Sequence, residues 1–280
     1  MTQRPGSDTK TRIWAVDGTE VARRADRLAT EEPLEIRLVA GRERRTLAVT
    51  MRTPGSDFEL AAGFLHGEGV VSQPSDVRTI SYCVDHAIHE EQRFNIINVE
   101  LESSMLPDVS ALERHFFTSS ACGVCGKTSL ESLRMARRPS ISPGPVIERD
   151  VVYGLPDKLR AAQGLFTSTG GLHAAALFEP DGNIVAVRED VGRHNALDKL
   201  IGWALLQARL PLAGHIVLVS GRASFELLQK CIMAGAPFVC AVSAPSSLAV
   251  ELAREFGITL VGFLRAERFN IYACPERLAL

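Results

Sequence analysis

Leu34 to Val39 alternates apolar and polar side chains, Gly41-Arg42 can turn the chain, and Thr46 to Met51 alternates again, which predicts a β-hairpin. Val77 to Val84 and Phe94 to Leu101 flank a polar turn at His86 to Gln92 and predict a second one. Between the two, Phe58, Leu60, Ala61, Phe64 and Leu65 fall on one helical face, so a helix is predicted from Phe58 to His66, capped by Ser56 or Asp57. Ahead of them Thr11 to Val16 reads as a strand behind a polar tail, residues 1–10, expected to be disordered. Leu112 to Phe117 reads as one helical turn. Thr128 to Ala136 reads as a helix capped by Thr128 or Ser129, with Glu131 in its first turn.

Composition shifts at Arg137 to Pro145, where Arg-Arg-Pro and Ser-Pro-Gly-Pro read as an interdomain linker. The expected organisation is a β-rich N-terminal domain over residues 11–140 and an α/β C-terminal domain over 141–280. In the latter a helix is predicted from Pro156 to Phe166, then a break at Thr169-Gly170-Gly171 and a strand from Leu172 to Phe178. Asp181-Gly182-Asn183 turns that strand into a partner, Ile184 to Arg188. Helices 195–209, 223–234 and 246–256 then alternate with strands His215 to Ser220, Phe238 to Val242 and Ile258 to Phe263. Strands separated by single helices imply right-handed crossovers and a mostly parallel sheet covered on both faces. Phe269 to Ala273 is expected at its edge.

The chain has 280 residues, which allows one large or two ordinary domains. Its formal charge is −2, so there is no bulk basic field to suggest nucleic acid, and any anion site must be local. The N-terminus lacks the apolar core of a signal peptide and no later apolar run is long enough to cross a bilayer. Six cysteines, at 83, 122, 125, 231, 240 and 274, show no secreted-framework regularity. A reducing cytoplasm is the expected compartment.

Two of those thiols carry the candidate chemistry. Thr118 to Lys127 places Cys122 and Cys125 on a loop with Gly123 and Gly126, just before a helix-compatible run. The helix dipole and Lys127 would stabilise a thiolate there, giving a nucleophile or a metal ligand. A structural zinc site is a rival reading, because Cys83 and His86 at C-x-x-H spacing would complete a three-Cys, one-His tetrahedron. A redox dithiol is another, although the βαβ unit that normally carries it is not apparent. His89-Glu90-Glu91 upstream of the C-x-x-C raises a zinc nucleobase deaminase. Against that stand Ala121 in place of the expected Pro and the position of the H-x-E in a hairpin turn.

In sheets of this type ligands bind outside the carboxyl ends of the parallel strands. Ser220-Gly221-Arg222-Ala223-Ser224 offers amides, hydroxyls and a guanidinium suited to phosphate, with ordinary helix capping by Ser220 or Ser224 as the competing reading. Ser243-Ala244-Pro245-Ser246-Ser247 holds the equivalent place after the next strand, with the same two readings. Phe263-Leu264-Arg265-Ala266-Glu267-Arg268 follows the third. Glu189, Asp190, Arg193, His194 and Asn195 crowd a strand end and a helix start, with Asn195 available as N-cap. His173 reads as a sheet residue unless the fold brings it to the pocket.

Five segments together, CGVCGK at 122–127, STGGLHAAAL at 168–177, REDVGRHNALDKLIG at 188–202, SGRASFELLQK at 220–230 and GFLRAERFNIY at 262–272, resemble the formate dehydrogenase accessory sulfurtransferase family. The resemblance implies a persulfide carrier that receives sulfur from a cysteine desulfurase and passes it to the bis-molybdopterin guanine dinucleotide cofactor of the formate dehydrogenase catalytic subunit. It points to Cys122 as the persulfide bearer with Cys125 beside it, and to Phe263–Arg268 as the best-supported cofactor contact. Gly221, Arg222, Ser224, Asp190 and His194 are expected to join that site, with GDP as a binding fragment and Asp190 or Glu189 accepting from a guanine amine. It further implies a C-terminal domain resembling the cytidine deaminase fold and a homodimer. No structural zinc, nucleic acid or membrane partner is expected. The alternatives are a zinc-stabilised cofactor-binding chaperone and the deaminase.

Overall fold

The computed structural model describes residues 5–107 and 141–280. The Leu112–Phe117 turn, the Cys122/Cys125 loop and the Thr128–Ala136 helix lie outside the described residues.

The first hairpin forms as read. β3 (Glu32–Ala40) and β4 (Glu43–Arg52) pair antiparallel, as do β5 (Val77–Tyr82) and β6 (Ile96–Leu101), and a parallel β3–β6 pairing joins the two hairpins into a four-stranded sheet ordered β4-β3-β6-β5. Leu34, Ile36, Leu38, Ile97, Val99 and Leu101 point to one face, where they pack on Leu60, Ala61 and Leu65 of α1 (Asp57–Gly67). Each such burial is worth about 1.5–3 kcal/mol, which is why the alternation in the sequence specifies which face turns inward. The outer face mixes polar side chains, with Glu35 and Arg37 paired at 2.7 Å, and the exposed Val49 and Met51. Ser56 stands at the N-cap of α1 in a left-handed conformation (φ 53°) and makes no side-chain cap. Asp57 serves elsewhere: its carboxylate accepts from Arg52, Gly55 N–H and Tyr82 O–H.

Preceding this sheet, β1 (Asp8–Asp17) and β2 (Glu20–Ala29) form a separate two-stranded ribbon. Residues 8–10, expected in the disordered tail, therefore belong to β1, and β2 was not foreseen. Most of β2 is exposed, so its sequence carries no alternation to read.

The second region is built on a six-stranded sheet, ordered β13-β12-β11-β10-β8-β9: β8 (His173–Phe178), β9 (Ile184–Asp190), β10 (Ile216–Val219), β11 (Phe238–Ala241), β12 (Thr259–Arg265) and β13 (Arg268–Ala273). Only β10, β11 and β12 run parallel; the tight connections β8–β9 and β12–β13 make the flanks antiparallel. The sheet is mixed rather than mostly parallel. Both faces are covered: α5 (Arg193–Leu206), α6 (Phe225–Met233) and α7 (Ser247–Phe256) bury Ala175, Leu177, Val217, Val239 and Leu260. α3 (Arg149–Ala162) buries Ala174, Phe178, Ile216, Leu218 and Val261 on the other face. α3 begins seven residues before the predicted start and holds Pro156 in its interior, whereas the sequence reading took that proline as a helix opening. A separate short helix, α4 (Gly164–Thr169), follows it. Two minor strands, β7 (Ile147–Glu148) and β14 (Leu278–Ala279), pair parallel.

The two regions meet where α1 crosses α5. A Cβ on Gly63 would lie 1.8 Å from Asp198 O, and one on Gly202 would lie 1.8 Å from Glu59 O, so the helix backbones are in direct contact at two glycines. Beside the crossing, Lys230 Nζ sits 2.8 Å from Asp198 Oδ1, and Gly67 leaves room for the lysine.

Candidate anion site at the strand ends

Beyond β10, β11 and β12 the ladder continues into the loops. Val242 N–H donates to Val219 O, Ser243 N–H to Gly221 O, Ser246 N–H to Ala223 O and Phe263 N–H to Ser243 O, at 2.9–3.3 Å. The three loops that the sequence singled out are thus held side by side. Gly262 is required in this row, because a Cβ would meet Pro245 at 2.9 Å and Tyr272 at 3.0 Å. Phe263 and Ala266 adopt left-handed conformations (φ 53° and 47°) that turn the chain outward and back into β13 (Arg268–Ala273).

Within this row the side chains divide. Arg222, Arg265, Ala266, Glu267 and Arg268 are exposed, and the three guanidinium groups make no hydrogen bond or ion pair with the described residues. Phe263 is half-buried. Leu264, included in the expected contact segment, is fully buried among the α3-side core residues and reaches no ligand with its side chain. An open cleft of about 710 Å³ borders the segment and is lined by Glu267, Arg268, Phe269, Asn270, Ile271, Leu280, Arg149 and Tyr153. Arg149 and Tyr153 escaped the sequence reading because α3 starts earlier than Pro156. The competing readings of the serine loops also separate. Ser246 caps α7, its Oγ accepting from Ala249 N–H, while Ser224 makes no cap and lies 3.4 Å from His194 Nε2. Ser220 Oγ accepts from Ala174 N–H.

The Glu189–Asn195 segment divides likewise. Asp190 is fully buried, its oxygens accepting from Thr53 N–H, Gly192 N–H and Asn195 Nδ2, with Lys199 Nζ at 2.7 Å. Lys199 also donates to Thr53 O and Glu189 O. Both Glu189 oxygens accept amides of Leu165 and Phe166 at the start of α4. The expected contact of Asp190 with a guanine amine has no acceptor site left, since each of its oxygens already takes two donors, whereas each Glu189 oxygen has taken one. These carboxylates instead lock α4 and the β4–α1 connection onto the sheet end. Asn195 is not the N-cap either: Gly192 holds that place, and Asn195 Nδ2 donates to Met51 O.

His194 Nε2 lies 2.7 Å from Glu226 Oε2, and this bond holds the Glu226 carboxyl below its usual range. His173, at the start of β8, is brought to the same place. Burial, followed by the charges of Arg193 and His194, pushes its pKa below the ordinary histidine value. Arg193 Nε is buried and finds no acceptor among the described residues. A buried guanidinium donor left open fits an anionic group, which is the test the expected nucleotide-bearing cofactor has to meet here.

The cysteines sort by environment. Burial pushes the Cys231 thiol up to about 12 and the Cys240 thiol further up. Burial and nearby Glu276 also raise Cys274. Cys83 is buried while His86 is exposed; the other two members of the expected zinc tetrahedron, Cys122 and Cys125, lie outside the described residues. His89, expected in a turn, is the N-cap residue of a four-residue helix, α2 (Glu90–Arg93), within the β5–β6 connection. No helix among the described residues is long and apolar enough to cross a membrane.

A family model described as FdhD/NarQ matches residues 29–279. A sulfur carrier protein FdhD of Streptomyces coelicolor is 53% identical over 263 residues, covering 93% of this chain and 92% of that protein. One of Mycobacterium tuberculosis is 49% identical over 271 residues, covering 95% and 97%. Among solved structures, a formate dehydrogenase accessory protein of Desulfotalea psychrophila, so described, superposes with a TM-score of 0.74 at 24% identity over 97% of this chain and 99% of that one, which establishes the shared mixed α/β fold. By the extent of the family match and the identity to these relatives, the chain belongs to the FdhD/NarQ family.

Proposed function

We propose that this protein is a sulfur carrier for formate dehydrogenase, and that it acts as a sulfurtransferase. The observation that carries the reading is that relatives about half identical to it, over nearly the whole chain, bear the name sulfur carrier protein. The thiol environments support it: burial holds Cys231 and Cys240 protonated and also raises Cys274, so none of these three is a ready nucleophile. The Cys122 thiolate attacks the outer sulfur of a persulfide on a cysteine desulfurase. A new S–S bond forms on Cys122, the donor cysteine leaves as a thiolate, and no net oxidation occurs.

The second substrate in this reading is the bis-molybdopterin guanine dinucleotide of the dehydrogenase, for which the exposed arginines 222, 265 and 268 are the phosphate partners. Residues 141–280 then form a cofactor-binding domain of the cytidine deaminase type, residues 11–140 carry the thiol loop, and two copies pair in the cytoplasm. Intact mass after incubation with a desulfurase and cysteine tests the carrier role. We expect gains in sulfur-sized steps that dithiothreitol removes and that Cys122→Ala largely abolishes. Equal loading of the Cys122→Ala, Cys125→Ala double variant would end the proposal. Stoichiometric zinc whose removal unfolds the protein would replace it with the zinc-stabilised chaperone.

A further inference from the structure

The charged groups at the strand ends are accounted for by protein partners or by exposure, with one exception. Arg193, the first residue of α5, points its Nε into a place shielded from water where no described residue accepts it. Leaving such a donor open is costly, and more so because it is charged. Its neighbours across the gap are Gly221 and His173: a Cβ built on Gly221 would lie 3.5 Å from His173 Nδ1 and 3.8 Å from Arg193 Cδ. Gly221 has no positive φ, so its turn does not demand a glycine. A Cβ there would be in ordinary van der Waals contact with both neighbours, so the missing side chain leaves a space of about one atom between the imidazole and the arginine stem. His173 makes no hydrogen bond with any described residue through its ring.

We propose that His173 and Arg193, on either side of Gly221, form an oxyanion subsite that takes a phosphate group of the nucleotide-bearing substrate. The inference rests on the cofactor-binding reading above and extends it to two residues and one chemical group. The groups facing His173 are Arg193, His194 and Asp190. Asp190 is neutralised by Lys199, and His194 is held by Glu226, so neither takes the vacant Arg193 donor. Without an anion, burial first, and then neighbouring Arg193 and His194, hold the His173 pKa below the ordinary histidine value. A phosphate oxygen between His173 and Arg193 favours the imidazolium, so binding takes up a proton at His173 and strengthens as pH falls toward the ordinary histidine range.

Calorimetry on the full-length protein tests this, with inorganic pyrophosphate and GDP as probes and His173→Gln, Arg193→Lys and Arg265→Ala as variants. Lysine keeps the charge at 193 but lacks the Nε donor. We expect His173→Gln and Arg193→Lys each to weaken both probes about ten- to a hundredfold, and His173→Gln to lose the proton uptake of the parent. If Arg193→Lys fails to fold, the His173 C2-proton shift in the parent decides: pyrophosphate should raise its midpoint, and an unmoved titration overturns the subsite. Parent-like binding in His173→Gln and Arg193→Lys alongside weakened binding in Arg265→Ala would reject the subsite and leave the cofactor reading standing. A parent that binds neither GDP nor pyrophosphate would overturn both.

Discussion

The start of α5 (Arg193–Leu206) and the row of loops ending β10, β11 and β12 hold the same kinds of polar residue, yet the structure uses them in opposite ways. Around α5, Asp190 has three hydrogen-bond donors and a lysine at 2.7 Å, and Lys199 has two carbonyls besides. Across the loops, Arg222, Arg265 and Arg268 stand exposed without partners among the described residues. A polar group whose bonding capacity is filled by protein is scaffold, and one whose capacity is open remains available for a ligand. Charge and position along the chain do not separate the two. Partner inventory does.

The most severe test of this contrast is Lys199→Met. It leaves a fully buried Asp190 carboxylate without its cation, and removing one member of a buried pair costs about 3–5 kcal/mol. Thermal or denaturant unfolding should show that loss. A variant of unchanged stability would show Asp190 to be solvated or protonated, and the scaffold assignment would fall.

Gly202→Ala probes the same scaffold at the helix crossing. Its Cβ would sit 1.8 Å from Glu59 O, so α1 and α5 must move apart, and overpacking of this sort costs about 1–3 kcal/mol or more. Unfolding midpoints would measure it; a parent-like value would mean that the two helices are not in backbone contact.

The loop side of the contrast is sharpened by Arg222→Ala and Arg265→Ala. The melting temperature of the free protein should barely move, because neither guanidinium makes a bond that folding depends on, while GDP affinity should fall about ten- to a hundredfold. Loss of stability with intact binding would reverse the assignment. Cys122→Ala should bind GDP as the parent does.

The smallest effect concerns pH. His66, buried between Val71 O and Met233 O, and His173 both have pKa values lowered chiefly by burial, so each binds a proton more readily in the unfolded chain. Their neutral forms support the fold fully above the ordinary histidine value, and that support is lost as pH falls below about 6.5. His173→Gln should flatten its share of the decline between pH 7 and 5, as followed by urea unfolding. An unchanged slope would mean that His173 titrates alike in both states.

Much of the fold was legible because alternating or helical apolar patterns reflect a burial direction that each segment imposes locally. The Leu34–Met51 hairpin, α1, the succession from β8 to β13 and the edge position of β13 all follow from such patterns and from Gly, Asn and Asp at the turns. β2 was missed because an exposed ribbon imposes no such pattern, and α3 was misplaced because proline signals a helix start more often than it sits inside a helix.

The candidate site was legible as a set of residue types on strand-end loops. The sequence by itself determined that arginines, serines and two histidines occur there, and it determined family membership through the motifs that carry them. Only the tertiary structure decided their roles. Asp190 and Glu189 became anchors because donors distant in the chain, from Thr53 and from Leu165 and Phe166, reach them. Leu264 became core because α3 covers that face of the sheet, and Arg193 was left with an open donor because its surroundings exclude water without supplying an acceptor. A residue's type sets how many bonds it can make, but which of them are already made depends on neighbours that the local sequence does not contain.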